Sequence, residues 1–290
     1  MLQESELILT PDHKLYHLRV DGNDIADNIV LVGDPGRVQL VTSLFDSTET
    51  AIVNREFISQ SGQFGNKRIT VIGTGIGTDN IDIVLNELDA AVNIDLKTRQ
   101  VKQNKKSLNV FRIGTCGALQ ENIPVGTCIS SSHALGFDGL LNFYASATSV
   151  CEEGLSQAFL KQCAWPHRLP FPYAVAADPE LLSAFSAETL SGITATAPGF
   201  YAPQGRQIRL AAEIQDFTTQ LSTFRYQNTA ILNFEMETSA LYGLGRLLGH
   251  RCLTICLVIA NRSRGEFLSD YEPSMAQLIR LTLDKITELP

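Results

Sequence analysis

Two short runs of the sequence place an arginine beside glycine-rich backbone, a combination that suits an oxyanion such as phosphate. GDPGR extends from Gly33 to Arg37, and RIGTCG begins at Arg112. Glycine lets the main chain approach a ligand closely, so that backbone N–H groups point at it. Arginine adds a permanently charged fork that matches phosphate geometry. The runs predict a phosphate site formed by both arginines, the backbone at Gly33 and the hydroxyl of Thr115. The alternative is that the arginines form ordinary salt bridges.

A third run, NFEMET, ends at Glu237 and Thr238 and carries acids at the expected start of a helix. Glu237 is suited to accept hydrogen bonds from ribose hydroxyls, with help from the backbone of Met236. The alternative for Glu237 is an acid that only stabilises the helix dipole. Glu235 is interpreted as structural. Phosphate and sugar together indicate an enzyme that acts on nucleosides.

The composition is that of a globular protein with a large core, because 44% of the 290 residues are hydrophobic and 19% are charged. The length allows one large α/β domain or two small ones. The net charge of −8 indicates that the protein as a whole does not bind nucleic acid. We therefore interpret the basic stretch 97–106 as a solvated surface segment, with nucleic-acid contact as the lesser alternative.

Cysteines and histidines give no sign of a metal site. The six cysteines and five histidines lack metal-binding spacing, so no metal is predicted. The first residues carry acids where a signal peptide needs bases. No apolar stretch approaches the roughly 20 residues that span a bilayer. These features predict a reduced, cytoplasmic protein that does not bind membranes.

Short apolar runs alternate along the chain with segments of helical spacing. The predicted strands are 29–32, 68–72, 109–113, 127–130 and 252–260, and the predicted helices are 37–45, one capped by Asp79 or Asn80, and 237–248. This alternation predicts a sheet covered by helices on both faces, with ligands bound at strand ends. The prolines of 165–172 predict a loop in which Trp165 packs.

The motifs, taken in order, resemble the uridine phosphorylases within the wider nucleoside phosphorylase family. They are GDPGR, NREF, GTGIGTDN, RIGTCG, FEMET and the segment GFYAPQGR from Gly199 to Arg206. The last is the most specific, since purine-specific members lack its Phe-Tyr and Gln-x-Arg pattern. The likeness extends from His17 to Arg262. It implies a three-layer α/β/α fold with a central mixed β-sheet, as a single domain over residues 1–290.

The resemblance also implies a set of residues for the base. They are Phe200, Gln204, Arg206, Cys116 and Gly117, with Arg262 in support. Gln204 both donates and accepts, so it suits the O2 and N3 edge of uracil. Arg206 suits O4, where cytosine carries an amino group instead. The alternatives are that Phe200 is plain core and that the Gln-x-Arg pair is exposed. Cys116 departs from the family, in which a hydroxyl residue is common at this position.

Two further residues are implied to act in the site of a neighbouring subunit. His17 would reach the ribose 5′-hydroxyl and Arg55 the phosphate. A homodimer is then the smallest complete unit, and the sequence does not distinguish it from a hexamer. No cofactor is implied beyond phosphate as co-substrate. A potassium ion is left open, because Asn80 stands where some bacterial members have a potassium-binding serine.

The resemblance implies a pentosyltransferase of pyrimidine salvage that converts uridine and phosphate into uracil and ribose 1-phosphate. Its catalytic residues would be Arg37, Arg112, Gln204, Arg206 and Glu237. Deoxyuridine and thymidine remain open as substrates. The alternatives are a purine nucleoside phosphorylase, a nucleoside hydrolase of the same fold and a nucleoside-binding protein. The acid of a purine enzyme would lie near Asn261, and asparagine cannot protonate a leaving base.

Overall fold

The computed structural model describes residues 2–290 of the chain. The strands are β1 (Asn28–Val32), β2 (Ser47–Thr48), β3 (Ile52–Asn54), β4 (Phe57–Phe64), β5 (Lys67–Gly73), β6 (Ile94–Asp95), β7 (Gln100–Val101), β8 (Asn109–Ala118), β9 (Cys128–Gly136), β10 (Tyr173–Ala176), β11 (Leu190–Thr196), β12 (Arg225–Tyr226), β13 (Thr229–Glu235), β14 (Arg251–Asn261) and β15 (Glu266–Phe267). The α-helices are α1 (Gly36–Thr42), α2 (Thr78–Asn93), α3 (Glu153–Gln162), α4 (Pro179–Ala184), α5 (Phe217–Thr223), α6 (Thr238–Leu248) and α7 (Glu272–Glu288).

Most strands belong to one large mixed sheet, in the order β12-β13-β11-β9-β14-β8-β1-β5-β4-β2. Strand β1 is parallel to both β5 and β8, and β8 is parallel to β14. Strand β14 is antiparallel to β9. Strand β13 also pairs with the end of β8, so that β8, β14, β9, β11 and β13 close into a ring. The predicted α/β fold with a central mixed sheet is confirmed, and the ring is a feature that the sequence did not indicate.

The central strands are buried on both faces, as their composition requires. All five residues of β1 are buried, and most of β14 is buried as well. Continuous runs of Val, Ile and Leu are typical of strands covered on both sides. Helix α6 packs against α2, β9 and β14, and α7 packs against β8 and β14. Within residues 2–290, no helix is long and apolar enough to cross a membrane.

The RIGTCG run is not the loop that the sequence predicts. Strand β8 continues through it to Ala118. The backbone stays extended because it pairs on one side with β14 as far as Asn261 and on the other with β13 at Phe234. Glycine is still required at position 114, because a Cβ at this position would collide with the guanidinium of Arg112. The run is thus a glycine-containing strand that makes room for its own arginine.

The start of α2 differs from its prediction, whereas that of α6 lies within one residue of the predicted start. Helix α2 is preceded by Gly77, whose φ of 106° favours glycine, and no side chain caps it. Asn80 instead donates to the carbonyl of Thr74 at 2.8 Å. At α6 the acids of NFEMET straddle the boundary, because β13 ends at Glu235 and the helix begins at Thr238.

The two irregular segments behave as predicted. The basic stretch 97–106 contains the turn and the second strand of the small β6–β7 hairpin and is largely exposed. The segment 165–172 contains no helix or strand. Trp165 packs against Phe137 and Phe159, with ring centroids at 4.9 and 5.6 Å. Its role as a packing residue is confirmed.

Candidate active site

A cavity of about 980 Å³ opens where several central strands end. Its size lies within the range of small-molecule sites. The cavity is lined by all predicted site residues except two, namely by Gly33, Arg37, Arg112, Thr115, Cys116, Gly117, Phe200, Gln204, Arg206, Met236, Glu237 and Arg262. The two exceptions are His17 and Arg55. The fold thus gathers residues that are more than 200 positions apart in the chain.

Arg37 is a buried cation that has no acidic partner. Its side chain extends from α1, and its Nη1 lies 3.5 Å from the carbonyl of Ile113. Among residues 2–290 it forms no salt bridge, although Asp34 lies nearby. Burial lowers the pKa of the Arg37 guanidinium, because the cation loses hydration. An unpaired buried charge of this kind is costly unless a counter-ion binds, which suits an anion site.

Arg112 forms the centre of a buried charge cluster. Its Nη2 donates to the carboxylate of Glu237, and its Nη1 lies 3.3 Å from Oε2 of Glu235. Burial alone would lower the pKa of Arg112, but the two carboxylates outweigh it and raise the pKa. The Nε of Arg112 has no hydrogen-bond partner in the part of the chain that the structure describes. Arg112 therefore forms a salt bridge, the alternative raised by the sequence, and still keeps an unused donor.

The two acids of NFEMET have different roles. Glu235 accepts from the backbone N–H groups of Glu237 and Thr238 at 2.9 Å, so it caps α6. Glu237 makes no capping bond. Its Oε1 accepts instead from the backbone N–H of Gly77 at 2.7 Å, and its other oxygen meets Arg112. Burial raises the pKa of Glu237, although the charge of Arg112 opposes the shift. Glu237 thus stands at the start of the helix, but its side chain bonds to Gly77 and Arg112 instead of to the N–H groups of α6.

The Gln-x-Arg pair lies on a tight turn rather than on an extended loop. Gln204 ends a 3-10 turn that begins at Ala202, and Gly205 follows with a φ of 70°. The turn folds Arg206 back, so that its Nη1 donates to Oε1 of Gln204 at 2.5 Å. Arg262 stabilises the turn by donating to the carbonyl of Gln204. Gln204 is buried, so the alternative of an exposed loop residue is wrong.

Arg206 is a second cation without an acidic partner. Its guanidinium lies 3.8 Å from the ring centroid of Phe200, and its Nη1 also donates to the carbonyl of Phe200 at 2.7 Å. Burial, together with the like charge of Arg262, lowers the pKa of Arg206 to about 10. No carboxylate compensates it among residues 2–290. Phe200 is half exposed, so it is not plain core.

Cys116 and Gly117 line the cavity near the end of β8. Burial raises the pKa of the Cys116 thiol, which therefore stays neutral. A neutral thiol is a weak hydrogen-bond donor. The position contributes shape more than polarity to the cavity.

His17 and Arg55 lie together outside the cavity. Asn54 joins their segments, because its Nδ2 donates to the carbonyls of Tyr16 and His17 at 3.0 and 2.8 Å. Arg55 donates to the hydroxyl of Tyr16 at 2.6 Å and has a φ of 52°. A positive φ is uncommon for arginine and indicates a constrained position. Among residues 2–290, no carboxylate forms a salt bridge with Arg55.

Sequence reasoning missed part of the cavity wall. Ile76 follows β5, and Phe267 belongs to the β14–β15 hairpin, yet both side chains are exposed at the cavity. Asn261 also lines it, but its amide donates to the carbonyls of Gln120 and Ile123 at 3.0 and 2.7 Å. The glycine loop around Ile76 was a detectable signal. Phe267 had none, because its position depends on a distant strand. Residues 2–290 contain no cluster of three or more His, Cys, Asp or Glu side chains suited to a metal ion.

Comparisons with known proteins agree with the geometry. The model of the phosphorylase superfamily matches residues 27–285. The chain therefore belongs to this superfamily. It is 29% identical to a uridine phosphorylase of Thermococcus kodakarensis over 89% of this chain and 81% of that protein. It is 28% identical to a DeoD-type purine nucleoside phosphorylase of Bacillus cereus, over 92% of this chain and 97% of that protein.

A solved structure supports the same assignment. A nucleoside phosphorylase of Trypanosoma brucei that shows uridine phosphorylase activity superposes with a TM-score of 0.89. It is 27% identical, and the match covers 98% of this chain and all of that one. The neighbours include both pyrimidine and purine enzymes, so the base must be argued from the residues of the cavity.

Proposed function

We propose that the protein is a uridine phosphorylase, which converts uridine and phosphate into uracil and ribose 1-phosphate. The observation that carries this proposal is the arginine content of the cavity. Arg37 and Arg206 lie in it without acidic partners among the described residues 2–290, and Gln204 stands beside Arg206. One cation suits a substrate anion, and the other suits an anion that develops on a leaving base.

The phosphate would be held by Arg37 and Arg112, with the backbone at Gly33 and the hydroxyl of Thr115. Because Arg112 also binds Glu237, the phosphate would lie next to the carboxylate of Glu237, which is proposed to bind ribose. As the glycosidic bond lengthens, the ribose gains positive charge. A phosphate dianion fixed near that charge stabilises the transition state and then forms the new bond. No covalent enzyme intermediate and no metal are required by this arrangement.

The leaving uracil would meet Gln204 and Arg206. Since Oε1 of Gln204 already accepts from Arg206, the amide is oriented with its Nε2 free to donate to O2. Oε1 can accept from N3, and the guanidinium can donate to O4. The pKa of about 10 still leaves Arg206 charged at neutral pH. A permanent positive charge at this point stabilises negative charge on the base.

A purine enzyme is the alternative that the Bacillus relatives favour. Protonation of a leaving purine needs an acid near the imidazole ring. Asn261 is the nearest candidate by sequence, and its amide is committed to two backbone carbonyls. This side chain cannot supply a proton, which supports the pyrimidine assignment.

We further propose a homodimer, or a hexamer of such dimers, in which His17 and Arg55 complete the neighbour's site. Their position outside the cavity supports this proposal, as does the exposed Arg55, which forms no salt bridge within residues 2–290. We also propose that phosphate is the co-substrate without a further cofactor. All six cysteines are free, which suits the reducing cytoplasm, where the enzyme would serve pyrimidine salvage.

We expect uridine cleavage to require phosphate. The physical reason is that Arg37 and Arg112 would position an anion as the nucleophile. The carboxylates of Glu235 and Glu237 are already engaged by backbone N–H groups and by Arg112. Uracil release is measured by absorbance with and without phosphate, and ribose 1-phosphate is assayed in parallel. Base release from thymidine, inosine and methylthioadenosine is measured separately in the same way, with and without phosphate. Equal rates in phosphate-free buffer would instead identify a nucleoside hydrolase.

We expect Gln204→Ala to lower kcat/KM for uridine by about 5- to 150-fold, which corresponds to roughly 1–3 kcal/mol for unpaired buried polar groups. The KM for phosphate should hardly change, because Gln204 would not contact it. Gln207→Ala is the matched control, since Gln207 is an exposed glutamine in the same segment. Turnover of uridine by Gln204→Ala at the rate of the control would defeat the pyrimidine assignment, as would a parent enzyme that prefers inosine.

A further inference from the structure

Glu87 organises the segment that carries His17. It lies on α2 and is largely buried, with 14% of its side chain exposed against 30% for His17. Its Oε2 accepts from the backbone N–H of Leu18 at 2.7 Å. Its Oε1 accepts from the backbone N–H of His17 at 3.0 Å and lies 2.7 Å from Nδ1 of the same residue. One carboxylate therefore serves two backbone donors and one imidazole nitrogen.

These contacts determine which nitrogen of His17 carries the proton. A carboxylate can only accept, so Nδ1 of neutral His17 must be the donor. Nε2 is then the unprotonated nitrogen, and its lone pair is available to accept a hydrogen bond. The backbone carbonyl of His17 also accepts from Nδ2 of Asn54 at 2.8 Å. Both the N–H and the carbonyl of His17 are therefore bound by side chains, which holds its imidazole in place.

We propose that Glu87 is a positioning residue for the nucleoside 5′-hydroxyl, acting through His17. The inference rests on the proposed function, in which His17 serves a neighbouring subunit's site. With Nε2 as an acceptor, the imidazole takes a hydrogen bond from the 5′-hydroxyl. Glu87 thereby contributes to the selection of substrates that carry this hydroxyl, although it does not touch them.

An amide cannot replace this carboxylate. Glutamine has one acceptor oxygen, so at least one of the three N–H groups loses its partner and the NH2 group faces another donor. If the NH2 group faces His17, it favours the tautomer with the proton on Nε2. The substitution Glu87→Gln should therefore disturb the orientation and proton position of His17 more than the rest of the fold.

The test compares kcat/KM for uridine with kcat/KM for 5′-deoxyuridine. In Glu87→Gln the preference for uridine should fall by about tenfold, the scale of one lost buried hydrogen bond, while turnover of 5′-deoxyuridine changes little. His17→Ala should lose the same preference, and the double variant should lose no more than either one. Asp82→Asn is the matched control, because Asp82 is an acid of α2 that bonds Tyr144 and not His17. An equal loss for both substrates would show a merely structural role and overturn the inference.

A second measurement is independent of activity. Nitrogen NMR of histidine-labelled protein should show neutral His17 protonated at Nδ1 in the wild type and redistributed in Glu87→Gln. A wild-type His17 protonated at Nε2 would overturn the inference even if uridine is cleaved. If the enzyme does not cleave uridine, the proposed function fails, whereas the NMR result still decides whether Glu87 orients His17. A preference for uridine that survives His17→Ala would also defeat the inference.

Discussion

Arg112→Ala is expected to lower kcat/KM for uridine phosphorolysis by about 10²- to 10³-fold, the scale of losing one preorganised charge contact. Arg112 is buried in the cavity, and it is the residue that bonds Glu237. Its removal would weaken the hold on phosphate and release the carboxylate that is proposed to bind ribose. Steady-state kinetics over a matrix of uridine and phosphate concentrations would measure both effects.

Stability must be separated from catalysis in this variant. Loss of Arg112 leaves Glu237 buried without its cation, and breaking a buried ion pair costs about 3–5 kcal/mol. The assay should therefore be run well below the measured Tm. Arg37→Ala is a second variant that avoids this cost, because Arg37 has no salt bridge to break among residues 2–290. Arg251→Ala serves as control, since Arg251 pairs with the exposed Glu180. A loss of kcat/KM below tenfold in Arg112→Ala would show that Arg112 does not act in the site.

The parts of the site that the sequence could predict are those determined locally. Strand β1 is a short, almost entirely apolar run, so its end just before Gly33 and the position of Arg37 one turn later follow from neighbouring residues. The start of α6 also follows from nearby residues, to within a few positions. In these places the hydrophobic pattern and the glycine position determine the backbone without help from distant segments.

The parts that could not be predicted depend on distant pairing. Residues 114–117 remain in β8 because β14 pairs along the whole run and β13 returns to pair with Gly117 and Ala118. A glycine-rich run is otherwise typical of a loop. The same closure brings Glu237 against Arg112, although 125 positions separate them. Sequence patterns report the period of one segment and carry little information on which strand will lie beside it.

The different contacts of two neighbouring acids illustrate the same limit of sequence-based prediction. Glu235 and Glu237 are two positions apart and chemically alike. The backbone turn between β13 and α6 directs Glu235 to the N–H groups of its own helix and Glu237 to Gly77 and Arg112. Both acids line the cavity, and only the geometry of that turn decides which one caps the helix and which one bonds to Gly77. Family resemblance identified Glu237, and the physical reason lies in the contacts.

The link between Arg112 and Glu237 also has a consequence for binding. The proposed phosphate residue and the proposed ribose residue share one buried ion pair. Phosphate that attracts Arg112 would weaken its bond to Glu237 and leave that carboxylate freer to accept from ribose hydroxyls. Each substrate would then bind better in the presence of the other, since coupling between two ligands is reciprocal.

Mixed subunits are expected to recover activity that neither parent has. Arg55→Ala and Arg112→Ala subunits would each be defective, because Arg55 would serve the neighbour and Arg112 its own cavity. In a mixed dimer one site lacks both arginines and the other is complete. Random exchange makes about half of the dimers mixed, so activity should rise to about a quarter of the wild-type value. Activity is measured after mixing under conditions that exchange chains, with exchange followed by mass spectrometry of differently tagged subunits.

The control for this experiment is a pair of variants that both affect the same cavity. Arg37→Ala and Arg112→Ala subunits should not complement each other, because every mixed dimer would have one lesion in each site. His17→Ala should complement Arg112→Ala, since His17 lies beside Arg55 and away from the cavity. Recovery in the control pair, or none with Arg55→Ala despite proven exchange, would show that each site is complete within one subunit. The exposed Arg55, held at a positive φ against Tyr16, would then need another explanation.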